Sequence, residues 1–97
     1  MKDSLGRTPA HIAAQYDSAH VLELLKKHNA DFSIFDSQGN TPLHYASRSG
    51  SIESTRYLCQ SSNKLKNQLN HKLETPKDLG KFYLFKLNTY LYILNKF

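Results

Sequence analysis

Five histidines are the residues of this chain best suited to proton transfer or metal binding near neutral pH. His11 and His44 lie 33 residues apart in matching contexts, Pro-Ala-His-Ile-Ala and Pro-Leu-His-Tyr-Ala. A residue copied together with its surroundings is expected to serve the structure of each copy, not one catalytic centre. His20 and His28 fall two turns apart on one predicted helix with no identifiable third ligand, and His71 falls in a predicted loop tip. The histidines therefore predict no metal site.

The other residues that could carry chemistry are scattered. The four glycines, Gly6, Gly39, Gly50 and Gly80, form no phosphate-binding loop, and no Gly-x-Ser-x-Gly, His-Glu-x-x-His or Cys-x-x-Cys motif occurs. Cys59 is the only cysteine, which excludes an intramolecular disulfide and a Cys-based zinc site. We expect it to be a small, partly buried hydrophobe. The sequence thus predicts a protein that is not an enzyme and that uses no cofactor, metal or small-molecule substrate.

The elements that position these residues repeat along the chain. All three prolines follow a threonine, and the pairs Thr8-Pro9, Thr41-Pro42 and Thr75-Pro76 are spaced 33 and 34 residues apart. Residues 3–14 and 36–47 match around the first two pairs. A fixed period of this size predicts stacked supersecondary units in place of a single globular core.

Each unit is predicted to be a turn followed by two helices. Asp3 and Asp36 begin the turns, and a glycine three residues later supplies a positive φ. The threonines are suited to N-caps with Pro at the first helical position, which predicts first helices over 9–16 and 42–49. The second helix of the first unit is predicted over 18–28, with its apolar face formed by Val21, Leu22, Leu24 and Leu25. In the second unit Ser54 and Thr55 replace Val21 and Leu22.

These residues resemble the ankyrin repeat. The pattern Asp-x-x-Gly-x-Thr-Pro-x-His-x-Ala occurs at 3–13 and again at 36–46, and Asn29-Ala30-Asp31 closes the first unit. The resemblance implies an all-α, helix-turn-helix solenoid with hairpin-like loops between repeats. It also implies that His11 and His44 hydrogen-bond near the Thr-Pro turn and tie neighbouring units together. We divide the single domain 1–97 into unit one (3–35), unit two (36–69) and a degenerate unit three with a C-terminal capping segment (70–97).

Unit three departs from the pattern. Leu73 replaces the turn glycine, and Lys77-Asp78 replace the apolar residue and the histidine. Unit two ends with Ser62-Asn63-Lys64 where Asn29-Ala30-Asp31 stood, and one extra residue precedes Asn67. We therefore expect a distorted turn after unit two and a terminal repeat whose outer face meets water.

The last third of the chain carries the basic charge. The formal net charge is +5, and residues 63–97 hold seven lysines against two carboxylates. In residues 81–97, eleven of 17 side chains are aliphatic or aromatic, which favours a closing helix over the end of the stack. Two alternatives stay open but are less favoured. A membrane-surface helix would use the lysines and aromatics, whereas nucleic-acid binding would need a denser basic patch. The segment is too short and too polar for an ordinary membrane span.

The resemblance implies a module that binds a protein partner through its concave face and loop tips. It places the contacts beside the turn aspartate, after the turn glycine and at the end of the first helix. In unit one these positions hold Ser4, Leu5, Arg7, Gln15 and Tyr16; in unit two they hold Phe35, Ser37, Gln38, Asn40, Arg48 and Ser49; Leu69, His71, Lys72 and Glu74 continue the row. Tyr16, Phe35, Arg7 and Arg48 are the best hot-spot candidates, since aromatics and Arg dominate interface energetics.

A second hypothesis is that the chain is a fragment, or a regulatory module appended to a larger enzyme or membrane protein. About three repeats are usually needed for stability, and only two match the pattern closely. We expect a cytoplasmic location, with the nucleus open, because no apolar segment follows Met1-Lys2-Asp3 and the single cysteine suits a reducing compartment.

Overall fold

The computed structural model describes residues 2–80. Four α-helices follow one another: α1 (Pro9–Gln15), α2 (Ala19–Lys27), α3 (Pro42–Ser49) and α4 (Ile52–Ser61). A 3-10 helix (Asn63–Asn67) comes next, and a further helix begins at residue 76 and is described as far as residue 80. No strand occurs in this part of the chain. The all-α, two-helix repeat predicted from the sequence is confirmed, while the capping helix predicted for residues 81–97 lies outside the described residues.

Local sequence signals set the helix ends. Thr8 and Thr41 occupy the N-caps of α1 and α3 with extended backbone, and a proline follows each at the first turn. Gly50 ends α3 in the left-handed conformation, with φ of 70°. Asp17 occupies the same place after α1 with φ of 57°. The observed helices therefore agree with the predicted spans to within one residue.

The core runs between the two layers of helices. α1 packs on α3 and α2 packs on α4, so each helix of unit one lies against its copy in unit two. Alanines on the first helices let the backbones approach closely, and larger side chains fill the space beneath. The buried apolar residues are Ala10, Ala13, Ala14, Leu22, Phe32, Leu43, Tyr45, Ala46, Leu58 and Leu65.

The turn after unit two is distorted as predicted. The chain forms the 3-10 helix there, in which Leu65 is buried at 2% exposure. Phe32, 33 residues earlier, is the equivalent buried residue of unit one. The 3-10 helix thus supplies the apolar contact of the preceding repeat at the same distance along the chain.

The predicted apolar face of α2 is wrong in part. Leu22 is fully buried and Leu25 half-buried, but Val21 and Leu24 are 41% and 43% exposed. Helical periodicity places all four side chains near one face, but it does not say which flank of that face another repeat covers. Val21 and Leu24 lie on the flank that unit two does not reach.

Candidate functional site

The loop tips are built by one turn repeated three times. In each turn a side-chain oxygen of the first residue accepts backbone N–H groups two and four residues later, at 2.8–3.0 Å. Asp3, Asp36 and Asn70 supply these oxygens. The third turn keeps the geometry although Leu73 takes the glycine position with φ of 61°. An Asx turn of this kind explains why Asp or Asn recurs at the start of each unit.

Backbone hydrogen bonds join the tips into a continuous row. The amide of Ser37 donates to the carbonyl oxygen of Leu5 at 3.0 Å, and the amide of His71 donates to that of Gln38 at 2.9 Å. A Cβ on Gly39 would lie 2.8 Å from the backbone nitrogen of His71, so this close approach requires glycine. Because main-chain atoms make these contacts, the tip side chains are left to face outward.

The two repeat histidines tie each unit to the next. Nδ1 of His11 accepts the backbone N–H of Thr8 at 3.0 Å, and Nε2 lies 2.7 Å from the carbonyl oxygen of Asn40. His44 makes the same pair of contacts with Thr41 at 3.1 Å and with the carbonyl of Glu74 at 2.9 Å. An accepting Nδ1 assigns the proton of the neutral ring to Nε2. The structural role that the resemblance implied for these histidines is confirmed.

Burial keeps both histidines neutral. It lowers the pKa of His11 and of His44 below the ordinary value of 6.5, against the opposing effect of the carbonyl that each ring contacts. A proton on Nδ1 would also face the threonine N–H donor. Neither ring is therefore arranged to act as a general acid.

Tyr45 connects α3 to the second tip. Its hydroxyl donates to Oδ2 of Asp36 at 2.5 Å, and its ring makes an edge contact with His11 at 4.9 Å between centroids. Burial and this hydrogen bond raise the pKa of Tyr45 to about 12. Burial acts to raise the pKa of Asp36, but the hydrogen bonds from Tyr45 and two backbone amides lower it overall. The sequence analysis did not single out Tyr45; its position beside His44, between two buried residues, was the available signal.

Three of the four hot-spot candidates are held by neighbouring side chains. The guanidinium of Arg48 lies 5.0 Å from the centre of the Tyr45 ring. Phe35 makes an edge contact with His71 at 6.2 Å between centroids. Arg7 pairs with Asp3 at 2.7 Å, and the backbone N–H of Arg7 is the main cause of the lowered pKa of Asp3.

Most of the predicted contact residues are accessible. Eight are exposed, two are half-buried and one is buried. Exposed are Ser4, Leu5, Tyr16, Phe35, Ser37, Gln38, Arg48 and Ser49; Arg7 and Gln15 are half-buried. Leu69, His71 and Lys72 of unit three are exposed, and Glu74 is half-buried. Tyr16, at the end of α1, is the most exposed aromatic residue among 2–80, at 72%.

Asn40 is the exception and corrects the sequence prediction. Its side chain is 3% exposed, and its Oδ1 accepts a hydrogen bond from Nδ2 of Asn70 at 2.8 Å. Its carbonyl accepts from His11. Asn40 therefore lies between units, where it fixes their spacing, and a partner at the loop tips does not reach it.

Two further inter-repeat contacts were missed. The carboxylate of Asp17 accepts the backbone N–H of Ser54 at 2.8 Å, in the first turn of α4. The hydroxyl of Ser51 donates to the carbonyl of Gln15 at 3.2 Å. Asp17 thus caps a helix of the next unit, as an N-cap side chain would, although Ser51 occupies the N-cap itself. The occurrence of Asp where unit two has Gly50 was the only sequence signal.

The described residues contain no cluster of three His, Cys, Asp or Glu that could hold a metal ion, and none of their helices is long and apolar enough to cross a membrane. A cavity of about 730 Å³ lies between α3, α4 and unit three. Leu43, Ile52, Cys59 and Pro76 supply its apolar lining, and its described lining includes no histidine or carboxylate.

Comparison with known proteins agrees with this geometry. A family model of ankyrin repeats in three copies matches residues 1–70. NF-kappa-B inhibitor alpha of Gallus gallus is 41% identical over 59 residues, which cover 61% of this chain and 19% of that protein. Ankyrin repeat domain-containing protein 13C-A of Xenopus laevis is 33% identical over 88 residues, 86% of this chain and 17% of that protein.

A putative ankyrin repeat protein of Fowlpox virus is 44% identical over 46 residues, 47% of this chain and 24% of that protein. The chain therefore spans less than a quarter of the length of these curated relatives. Ankyrin repeats are protein–protein interaction modules. With its repeated capping turns, inter-unit histidines and stacked helix pairs, this chain belongs to the ankyrin repeat family.

Proposed function

We propose that this chain is a non-enzymatic adaptor or regulatory scaffold that binds a protein partner through its loop tips and the carboxyl ends of α1 and α3. The observation that carries the proposal is the set of large side chains exposed along these elements. Leu5, Phe35 and Leu69 on the tips are 53%, 56% and 53% exposed, and Tyr16 follows α1. Aromatic residues and arginine on a rigid base are typical of interface hot spots.

The rigidity of this base supports the proposal. Main-chain hydrogen bonds join the tips, and Tyr45 fixes α3 to Asp36. Arg48 and Phe35 already contact neighbouring rings, which lowers the entropy lost when a partner orders them. The surface is therefore pre-organised for recognition.

The absence of enzymatic activity is part of the same proposal. Both buried histidines serve inter-unit contacts, and the described lining of the cavity offers neither imidazole nor carboxylate for proton transfer. A reducing, cytoplasmic setting is proposed as well, because the single cysteine can form no intramolecular disulfide.

The test compares partner capture by surface variants of equal stability. The full chain, a variant with Tyr16→Ala, Phe35→Ala and Arg48→Ala, and a control with Ile52→Ala and Arg56→Ala on α4 are used for cross-linking capture with mass spectrometry. Hot-spot truncations of more than about 1.4 kcal/mol each weaken binding by at least about tenfold. We expect the same partner on the full chain and the control, and its loss from the triple variant.

Thermal melting separates recognition from folding. The three substituted side chains are exposed, so the triple variant should melt within a few degrees of the unaltered chain. A large drop in melting temperature would assign these residues to packing between units. Equal capture by all three proteins would refute the proposed surface.

A further inference from the structure

Equivalent residues of units one and two differ in burial in one consistent way. Pro42 and Ser54 are buried and Tyr57 is half-buried by unit one, whereas their counterparts Pro9, Val21 and Leu24 are exposed. Tyr45 is 6% exposed, and its counterpart Ile12 is half-buried. We call Ser4, Pro9, Ile12, Val21 and Leu24 the leading face of unit one. It repeats the positions through which unit two receives unit one.

The polar groups of this interface repeat as well. Unit two offers unit one the amide of Ser37, the hydroxyl of Ser51 and the carbonyl of Asn40. The copies of these groups in unit one are the amide of Ser4, the hydroxyl of Ser18 and the carbonyl of Arg7. The Arg7 carbonyl accepts the amide of Asp3, as the Asn40 carbonyl accepts that of Asp36 while also accepting from His11. A carbonyl has a second lone pair for such a histidine.

We infer that the leading face is a docking surface for one further ankyrin-type repeat that carries the Thr-Pro-x-His histidine. The reason is continuity with the interface between units one and two. The apolar side chains would cover Val21 and Leu24. The histidine Nε2–H would reach the carbonyl of Arg7, and a main-chain carbonyl would accept the amide of Ser4.

A second copy of this chain fits this surface less well. Unit three carries Asp78 in the histidine position, where its carboxylate accepts the backbone N–H of Thr75 at 3.0 Å. A carboxylate cannot donate a hydrogen bond to the Arg7 carbonyl. Lys77, exposed, also replaces the buried Ala10 and Leu43 of the first two units. The fitting partner is thus a repeat like units one and two.

The test supplies such a repeat to the full chain. A second copy of residues 3–35 is inserted before Asp3, which keeps the 33-residue period and the Phe35-Asp junction. The substitutions Val21→Lys and Leu24→Lys are then placed either in the inner copy, at the new interface, or in the outer copy, on its free face. The two variants have identical composition and differ only in the place of the lysines.

We expect the extended chain to unfold at a higher urea concentration than the unextended chain, in one transition. The inner-copy lysines should abolish this gain, whereas the outer-copy lysines should leave it. Hydrogen exchange should also show the inner Ser4 amide protected. Equal urea midpoints for the two variants, or no gain on extension, would overturn the inference. Sedimentation of the unextended chain that shows dimers lost with V21K and L24K would also overturn it, in favour of a second copy.

Discussion

Acid should loosen this protein well above the pH at which carboxylates titrate. His11 and His44 are neutral in the folded chain because each accepts a threonine N–H at Nδ1 and donates to a carbonyl from Nε2. Burial lowers the pKa of both below 6.5. In the unfolded chain both rings regain ordinary pKa values, so the unfolded state binds more protons as the pH falls.

The sign and the size follow from linkage. A lowered folded-state pKa contributes stability that is present above pH 6.5 and is lost as the pH falls through the folded value. Each histidine can remove at most about 1.4 kcal/mol of unfolding free energy per pH unit, so the pair sets a limiting slope near ~2.8. The lowered pKa of Asp36 acts in a separate window, below its ordinary value of 3.8.

The assay is urea denaturation followed by circular dichroism, at pH 7.5 to 5.0 and constant ionic strength. The unfolding free energy should fall steadily below pH 6.5. Replacing the exposed His20, His28 and His71 by Gln should leave the curve unchanged. His44→Gln should cost about 1–3 kcal/mol at pH 7, because the buried Thr41 amide loses its acceptor, and should halve the slope.

Nuclear magnetic resonance of the imidazole nitrogens gives an independent measurement. Both buried rings should be Nε2–H tautomers and should stay neutral while the chain remains folded. A flat free energy between pH 7 and pH 5 would refute the reasoning. So would protonation of His11 and His44 near pH 6.5 with the fold intact.

Two further predictions concern residues with left-handed backbone. Leu73→Gly should stabilise the chain by about 0.5–1 kcal/mol in urea denaturation, because Leu73 has φ of 61° and is 75% exposed; Leu5→Gly on an equivalent tip, without positive φ, should destabilise it. Asp17→Ala should cost about 2 kcal/mol, since the Ser54 amide loses its acceptor and the strain stays, whereas Asp17→Gly should be near neutral because glycine relieves that strain. Equal losses in the two Asp17 variants would contradict the capping role, and a loss of stability in Leu73→Gly would contradict the strain.

Features encoded within a few residues could be predicted from the sequence. Threonine before proline fixed the helix starts, and the aspartate and glycine of each unit fixed the turns. The histidine role followed from the family resemblance and depends on a contact within the same motif. Each of these signals places both partners within four residues, where spacing alone decides the geometry.

Contacts between units were harder to predict. Asn40 was predicted to be an accessible contact residue, but Asn70, 30 residues later, buries it. Asp17 was interpreted as a poor substitute for glycine, but its partner Ser54 lies 37 residues away. Val21 and Leu24 have the periodicity of core residues, yet they face the side of unit one that unit two does not cover. One period gives no measure of which neighbour is present.

The division of labour between backbone and side chains explains how stability and recognition coexist in so small a chain. The contacts between tips use the carbonyls of Leu5 and Gln38, and the histidines reach the carbonyls of Asn40 and Glu74. Every residue type supplies a carbonyl, so the identity of a tip side chain has little effect on stacking. Phe35 can therefore change without loosening the repeats, whereas Asn40, whose side chain spans two units, cannot. Side chains for a partner are consequently to be sought where only the backbone serves the fold.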